Sequence, residues 1–312
     1  MSFFFKAIIL VLLGACSTQA NDVGSLRGDQ RRQLQSSSAA IVTLVTGATN
    51  LSELCYTFQT LSNAKGDTNA GVIVFYDTNS KNLLDGQKST LASCTSRPVV
   101  YEALDFSTGF PADFVPTPGE DYTYVQSQRF LISKLWSHPA LSGYDVIMRV
   151  SDDTCLSYES STLPLLTDPG LVYQSQAVPQ AFEIARKFTT DLYHAAFTYI
   201  STHNISPKNI AMWVNVVNTH EDLNSLPVLT NDFEVVKLSF MQRPDVTAWL
   251  NFVTDNEYIY EYKWNTNSER FMTAAIFTDH EEISTTPIPG FVQKDFISGR
   301  VSEGVCRPAM TS

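Results

Sequence analysis

A chain of 312 residues that is 44% hydrophobic and 12% aromatic carries enough apolar material for a large core, which argues against a disordered protein. A formal charge of −11, with no Lys/Arg-rich run beyond residue 40, argues against a nucleic-acid binder, whose phosphate-facing surface has to be basic. An anionic ligand would need a metal or a local basic cluster to neutralise it.

The chain opens on "MSFFFKAIILVLLGACSTQAN", with one early charge at Lys6, an apolar run and small residues Thr18 and Ala20. This is the layout of a secretory signal peptide. A membrane span needs about 20 apolar residues and this run is shorter, so residues 1–20 read as a cleaved signal or a short N-terminal membrane anchor. Residues 21–39, containing "GSLRGDQRRQLQSSS", are polar and without periodicity, as a stalk or linker is. Residues 40–312 read as a single domain.

From residue 40 strands and helices alternate. "AIVTLVT" (40–46) predicts a buried strand, and residues 51–61 a helix with Leu51, Leu54, Cys55, Phe58 and Leu61 on one face and Asn50 as N-cap. Residues 71–77 and 97–104 predict two more strands. This order suggests an α/β fold, a mostly parallel central sheet flanked by helices. A Pro/Gly-rich loop follows, then a helix over 124–136 and a strand over 144–150 that runs into Asp152 and Asp153. A long helix is expected from Pro179 to about residue 200, with the proline in its first turn. Residues 233–240 predict a strand and 245–253 a short helix. The aromatic run "YIYEYKW" (258–264) fits an alternating strand packed on the core or, equally, rings that stack on sugars in an acceptor groove.

With Cys16 removed alongside a signal, Cys55, Cys94, Cys155 and Cys306 remain, enough for up to two disulfides in any of three pairings. Asn50-Leu-Ser52 and Asn204-Ile-Ser206 are glycosylation acceptor triplets. Together with the N-terminal segment they favour the secretory pathway. The 5 histidines are scattered, and no HExxH motif or nucleophile elbow supports hydrolysis.

Ligands of open parallel sheets sit beyond the carboxyl ends of strands, where Asp152 and Asp153 would stand. Paired carboxylates there can hold Mg²⁺ or Mn²⁺ against a nucleotide's phosphates; aspartates after strands also commonly close turns. An ordered series of blocks bears on the choice: "AIVTLVTGATNLSELCYTFQTL", "YVQSQRFLISKLWSHPAL", "YDVIMRVSDD", "NDFEVVKLSF" and "YIYEYKWNTNSERFMTAAIF". Their order and spacing resemble the fungal-type α-1,2-mannosyltransferases of glycosyltransferase family 15, over most of residues 40–277.

That resemblance implies a GT-A-like nucleotide-sugar-binding fold over 40–312, a GDP-mannose donor, a mannose-containing glycan acceptor on glycoprotein or glycolipid, and a retaining mannosyl transfer in the Golgi lumen. It implies a divalent cation, Mn²⁺ or Mg²⁺, near Asp153, with Asp152, which stands where the family has Pro, as the other candidate ligand. Glu234 is implied as the carboxylate beside the anomeric carbon, nucleophile or stabiliser of the oxocarbenium-like state. Tyr124, Arg129 and Asp153 are implied at the donor side, and Trp264 matches a tryptophan of the family; on their own chemistry Asp152 and Arg270 join the donor-side candidates, and Tyr260 and Trp264 of the aromatic run are the acceptor candidates. The chain departs from the family pattern at Ser151, Lys263, Thr266 and Arg270. A guanidinium cannot ligate a cation, so either the two aspartates hold the metal in a shifted geometry or Arg270 neutralises the diphosphate without metal. A catalytically lapsed relative, kept as a carbohydrate-binding or partner protein, is the alternative.

Overall fold

The computed structural model describes residues 39–62, 70–80, 83–152, 154–156, 168–179, 190–219, 227–286 and 291–293. The N-terminal signal and stalk segments lie outside these residues, as do Asp153 and Cys306. No helix among the described residues is long and apolar enough to cross a membrane.

Seven strands form the main sheet in the order β3-β2-β1-β4-β7-β6-β8. They are β1 (Ala39–Val45), β2 (Gly71–Asp77), β3 (Val99–Leu104), β4 (Val146–Val150), β6 (Tyr173–Pro179), β7 (Pro227–Lys237) and β8 (Ile283–Ser284). A second sheet pairs β5 (Thr154–Leu156) with β9 (Phe291–Gln293). Strands β1 to β4 are mutually parallel, and β6 is parallel to β8. Strand β7 runs antiparallel to both of its neighbours. The mostly parallel α/β sheet expected from the alternating pattern is therefore present, with one reversed strand inside it.

Because side chains alternate across a strand, the sheet feeds two apolar layers. Ile41, Val72, Val74, Met148, Phe233 and Val235 face one, where α1 (Leu51–Ser62) covers them with Leu54, Phe58 and Leu61. Val42, Ile73, Phe75, Ile147, Tyr173 and Val236 face the other. Over that second face lie α3 (Thr123–Ile132), α4 (Thr190–Thr202), α5 (Ile210–Thr219), α7 (Pro244–Thr254) and α9 (Thr266–Phe277). Burial on both faces explains why β1, β2 and β4 read as near-continuous apolar runs.

Local signals hold at several boundaries. Asn50 caps α1: its Oδ1 accepts from the amides of Ser52 and Glu53 at 3.1 and 3.3 Å. Pro244 opens α7 at its first turn, and Asn265 caps α9 by accepting from Ser268 N at 2.9 Å. Cys55 of α1 is bonded to Cys94 just beyond α2 (Asp85–Ala92), one of the three pairings the sequence allowed.

Four expectations are corrected. The helix expected over 124–136 ends at Ile132 and continues as a 3₁₀ turn, Lys134–Ser137, where Ser133 turns its hydroxyl to Thr254 at 2.8 Å. The strand expected over 233–240 begins earlier, at Pro227, and gives way at Leu238 to a short helix, α6 (Leu238–Met241). Pro179 does not open a helix; it ends β6 opposite Pro227, where two residues without N–H groups fit the end of a ladder. Residues 180–189 lie outside the described residues, and the expected helix is seen from Thr190, as α4. The aromatic run forms no strand. It is a helical turn, α8 (Tyr258–Tyr262), closed by Lys263 in the left-handed conformation at φ 53°.

Candidate active site

The carboxyl end of β4 is held by hydrogen bonds to two other elements. Ser151 N donates to Asp232 O at 2.9 Å, and the Thr57 hydroxyl donates to Thr154 O at 2.5 Å. Asp152 Oδ2 accepts from Asn50 N at 2.5 Å, which ties the turn after β4 to the start of α1. Asp152 therefore closes a turn, whatever else it does. Asp153 lies outside the described residues. Among the described residues no group of three or more His, Cys, Asp or Glu could hold a metal ion. The described donor set therefore does not by itself fit the Mn²⁺ or Mg²⁺ that the resemblance implies.

Glu234 lies at the centre of a buried charge network. It sits on β7 directly opposite Arg149 of β4 and Ser175 of β6, and its side chain is 0% exposed. Arg149 Nε donates to its Oε1 at 2.8 Å; the Tyr173 hydroxyl and Arg270 Nε donate to its Oε2 at 2.6 and 3.1 Å. Arg270, on α9, also donates to Glu269 Oε2 at 2.5 Å and to Leu131 O at 2.7 Å, and its guanidinium lies 5.0 Å from the Trp136 ring centre. Glu269 accepts further from Trp249 Nε1 at 3.1 Å and from the Thr273 hydroxyl. Two carboxylates thus face two guanidinia in a volume closed to solvent. The one buried nitrogen of the pair Arg149 and Arg270 without a hydrogen-bond partner among the described residues is Arg149 Nη2.

Protonation follows from this geometry. Burial pushes the Glu234 carboxyl up, but Arg270 and Arg149 outweigh it with help from the Tyr173 hydroxyl, so it stays below the ordinary carboxylate value. Glu269 is raised, because burial exceeds the attraction of Arg270. Burial, reinforced by Glu234, drives the Tyr173 phenol well up. Arg270 is held charged, its desolvation exceeded by the two glutamates.

The residues expected around this centre do not converge on it. Arg270 and Glu234 do meet. Arg129 instead clasps the end of α7, donating to Thr254 O at 2.9 Å, to Gly109 O, and to Asp255 Oδ1 at 3.2 Å. Trp264 is buried in the core, its ring 5.9 Å from that of Tyr262. Tyr260 is also buried; its ring stacks on Phe114 at 3.9 Å and its hydroxyl donates to Gln126 at 3.0 Å. Tyr124 is 47% exposed at the rim of a cleft of about 440 Å³ between α3, α8 and the loop at Phe114 and Tyr122. Asn50 and Asn204 are both exposed, Asn204 with a left-handed φ of 52°.

Sequence reasoning missed Arg149, Tyr173, Glu269 and Trp249. A signal for Arg149 existed: in "VIMRV" a charged residue alternates onto the buried face of an apolar strand, as Glu234 does in "DFEVV", and each requires a partner of opposite sign.

No protein-family model and no curated protein matches the chain. Solved structures do. The core-mannan synthase A of Aspergillus fumigatus, in its Mn/GDP form, is similar with a TM-score of 0.66 at 17% identity, over 79% of this chain and 72% of that one. The mannosyltransferase Ktr4p of S. cerevisiae is similar with TM-scores of 0.64, and 0.66 in its complex with GDP, at 13% and 12% identity. These matches cover 85% and 87% of this chain, and 79% and 81% of Ktr4p. The fold is GT-A-like, shared with the fungal mannosyltransferases that the sequence blocks resemble.

Proposed function

We propose that this chain is a glycosyltransferase that moves mannose from GDP-mannose to a hydroxyl of a mannose-containing glycan on glycoprotein or glycolipid. The observation that carries the reading is the GT-A-like fold shared with fungal mannosyltransferases over 79% to 87% of the chain. Departure of a nucleoside diphosphate leaves positive charge on the sugar, and a fixed carboxylate stabilises it. In this reading Glu234 is that carboxylate. Its two oxygens already accept from Arg149, Tyr173 and Arg270, so it acts by its field, and direct attack would first require release of Tyr173 or Arg270. Arg149 and Arg270 are already balanced by Glu234 and Glu269, so in this reading they fix the carboxylate in place, and an anionic donor reaches their charge only if the network opens.

The N-terminal segment, the exposed triplets at Asn50 and Asn204, and the Cys55–Cys94 bond support a secretory-pathway location, Golgi lumen or secreted, since disulfides persist in oxidising compartments. Calorimetric titration of the chain with GDP and GDP-mannose, with Mn²⁺ and then with EDTA, tests the reading together with mannosyl transfer to an oligomannoside. Donor binding and transfer are expected, and no GDP binding in either condition refutes it.

The saturation of Glu234 favours a second reading, a carbohydrate-binding relative without transfer. Sugar binding without donor turnover would establish it; turnover that Tyr173→Phe alters would exclude it.

A further inference from the structure

Helix α5 presents an apolar stripe to solvent. Ile210, Val214 and Val217 are 62%, 46% and 44% exposed. Their spacing puts them on one face of the helix, with the half-buried Trp213 between them. They are three of the eight large hydrophobic side chains exposed among the described residues, so this is a patch and not a scatter of single exposures. Met212 and Val216, on the other face, enter the core. The helix, "IAMWVNVVNT", contains no charged residue.

That absence of charge narrows what covers the patch. Helices that lie in a membrane interface carry Lys and Arg on their polar face, and α5 has none. A second copy of the chain brings the same formal charge of −11 and is repelled. A neutral carbohydrate meets neither obstacle: the C–H faces of its pyranose rings rest on aliphatic and indole surface while its hydroxyls stay in water.

An attachment point for such a carbohydrate stands close by in the chain, at Asn204 of the triplet Asn204-Ile205-Ser206. Ile205 N donates to Ile200 O at 2.9 Å and Asn204 N to Ser201 O at 3.4 Å, so Asn204, at φ 52°, closes α4 in the left-handed conformation that asparagine tolerates. Asn204 and Ser206 are both exposed, and neither side chain makes a hydrogen bond among the described residues. The connection onward is fixed. Lys208 N and Asn209 N donate to Ile276 O and Ala275 O of α9 at 3.2 and 3.1 Å, and Asn209 Oδ1 accepts from Met212 N at 3.2 Å, which caps α5. The acceptor amide and the stripe are therefore held in a constant relation.

Resting on the secretory location and not on the transfer chemistry, we infer that Asn204 carries an N-linked glycan whose first sugars cover the stripe of α5. Nδ2 of Asn204 gives up one proton and bonds to the anomeric carbon of an oligosaccharide as its polyprenyl diphosphate carrier departs. The glycan then keeps an apolar patch from becoming an association surface.

The test takes the full chain expressed in a eukaryotic cell, with glycopeptide mass spectrometry for occupancy and the fluorescence of an anilinonaphthalene dye for exposed apolar surface. Two variants remove the glycan without touching the stripe: Asn204→Gly, which keeps the left-handed turn, and Ser206→Ala. Each is expected to lose the glycan, keep the parent's circular dichroism and calorimetric response to GDP, and bind more dye. Adding Val214→Ser/Val217→Ser to either should return the dye signal to the parent's level. An unoccupied Asn204 in a chain whose Cys55–Cys94 bond has formed overturns the inference and leaves the location standing; a chain with neither glycan nor disulfide overturns both. Glycan-free variants that bind no more dye than the parent, or whose extra dye survives the stripe substitutions, also overturn it. So does a glycosylated parent that dimerises or binds phosphatidylcholine vesicles and loses that property in Val214→Ser/Val217→Ser, since the stripe then serves a second copy or a membrane.

Discussion

Replacing Glu234 by glutamine removes a single charge from a site with no access to water. The carboxylate accepts from Arg149 at 2.8 Å, Tyr173 at 2.6 Å and Arg270 at 3.1 Å, while an amide has one acceptor oxygen and turns an N–H₂ group on the remaining donors. Two guanidinia are then left with Glu269 alone. Two unit charges at about 4 Å interact by about 4 kcal/mol at an effective dielectric of about 20, and breaking a buried pair by removing one partner costs about 3–5 kcal/mol. That loss is a large fraction of the roughly 5–15 kcal/mol that keeps a domain folded. Urea unfolding at pH 7, followed by tryptophan fluorescence and circular dichroism, should show a midpoint shift of this size, and Tyr173→Phe a smaller one of about 1.5–3 kcal/mol. The folded carboxyl titrates below its ordinary value, so its contribution is present above the unfolded value of about 4.3. It is lost as pH falls through the folded value, and the gap between wild type and Glu234→Gln must shrink there. A Glu234→Gln chain within about 1 kcal/mol of wild type at pH 7 would refute the ion-pair reasoning.

Glu269 carries the opposite sign. Its folded value is raised, so its contribution falls as pH rises from the unfolded value of about 4.3 to the folded one; wild type should gain on Glu269→Gln when pH is lowered through that window, as paired urea titrations would show. The Cys55–Cys94 bond closes a separation of 39 residues, and the double serine variant should lose about 2–4 kcal/mol in the same assay. Asn50→Ala should cost about 1 kcal/mol through loss of the cap on α1, while Asn50→Ser, which keeps a cap oxygen, should cost a few tenths. Asn50→Ser also abolishes the glycosylation triplet, so glycopeptide mass spectrometry of that variant reports on Asn204 alone.

The strands and the first helix were legible because β1 and β2 are short, near-continuous apolar runs and α1 shows one helical period with a recognisable cap at Asn50. The aromatic run was not. Tyr258, Tyr260 and Tyr262 alternate as in a strand, yet Ile259 and Tyr260 are the residues buried in α8, and tertiary packing overrode the local pattern. Pro179 misled for the same reason, since its partner Pro227 is brought to it only by sheet pairing. At the site, Glu234 and Arg270 could be marked as chemical candidates, but what surrounds them could not: Glu234 meets Tyr173 and Arg149 across 61 and 85 residues of chain. The exposed Tyr124 and buried Tyr260 could not be told apart, because burial there depends on Phe114 of a loop without periodicity.

The reversed strand β7 gives the buried charges a further consequence, for how the chain finds its pairing. Adjacent parallel and antiparallel apolar strands differ little in composition, so hydrophobicity alone tolerates sliding. A slip of one residue would turn Glu234 onto the opposite face, against the layer of Leu54, Phe58 and Leu61, and would bring Phe233 or Val235 under two guanidinia. Each misalignment strands buried charge. The glutamate therefore works as a key for strand register, and neutralising it should loosen which β7 pairing forms as well as how strongly it holds.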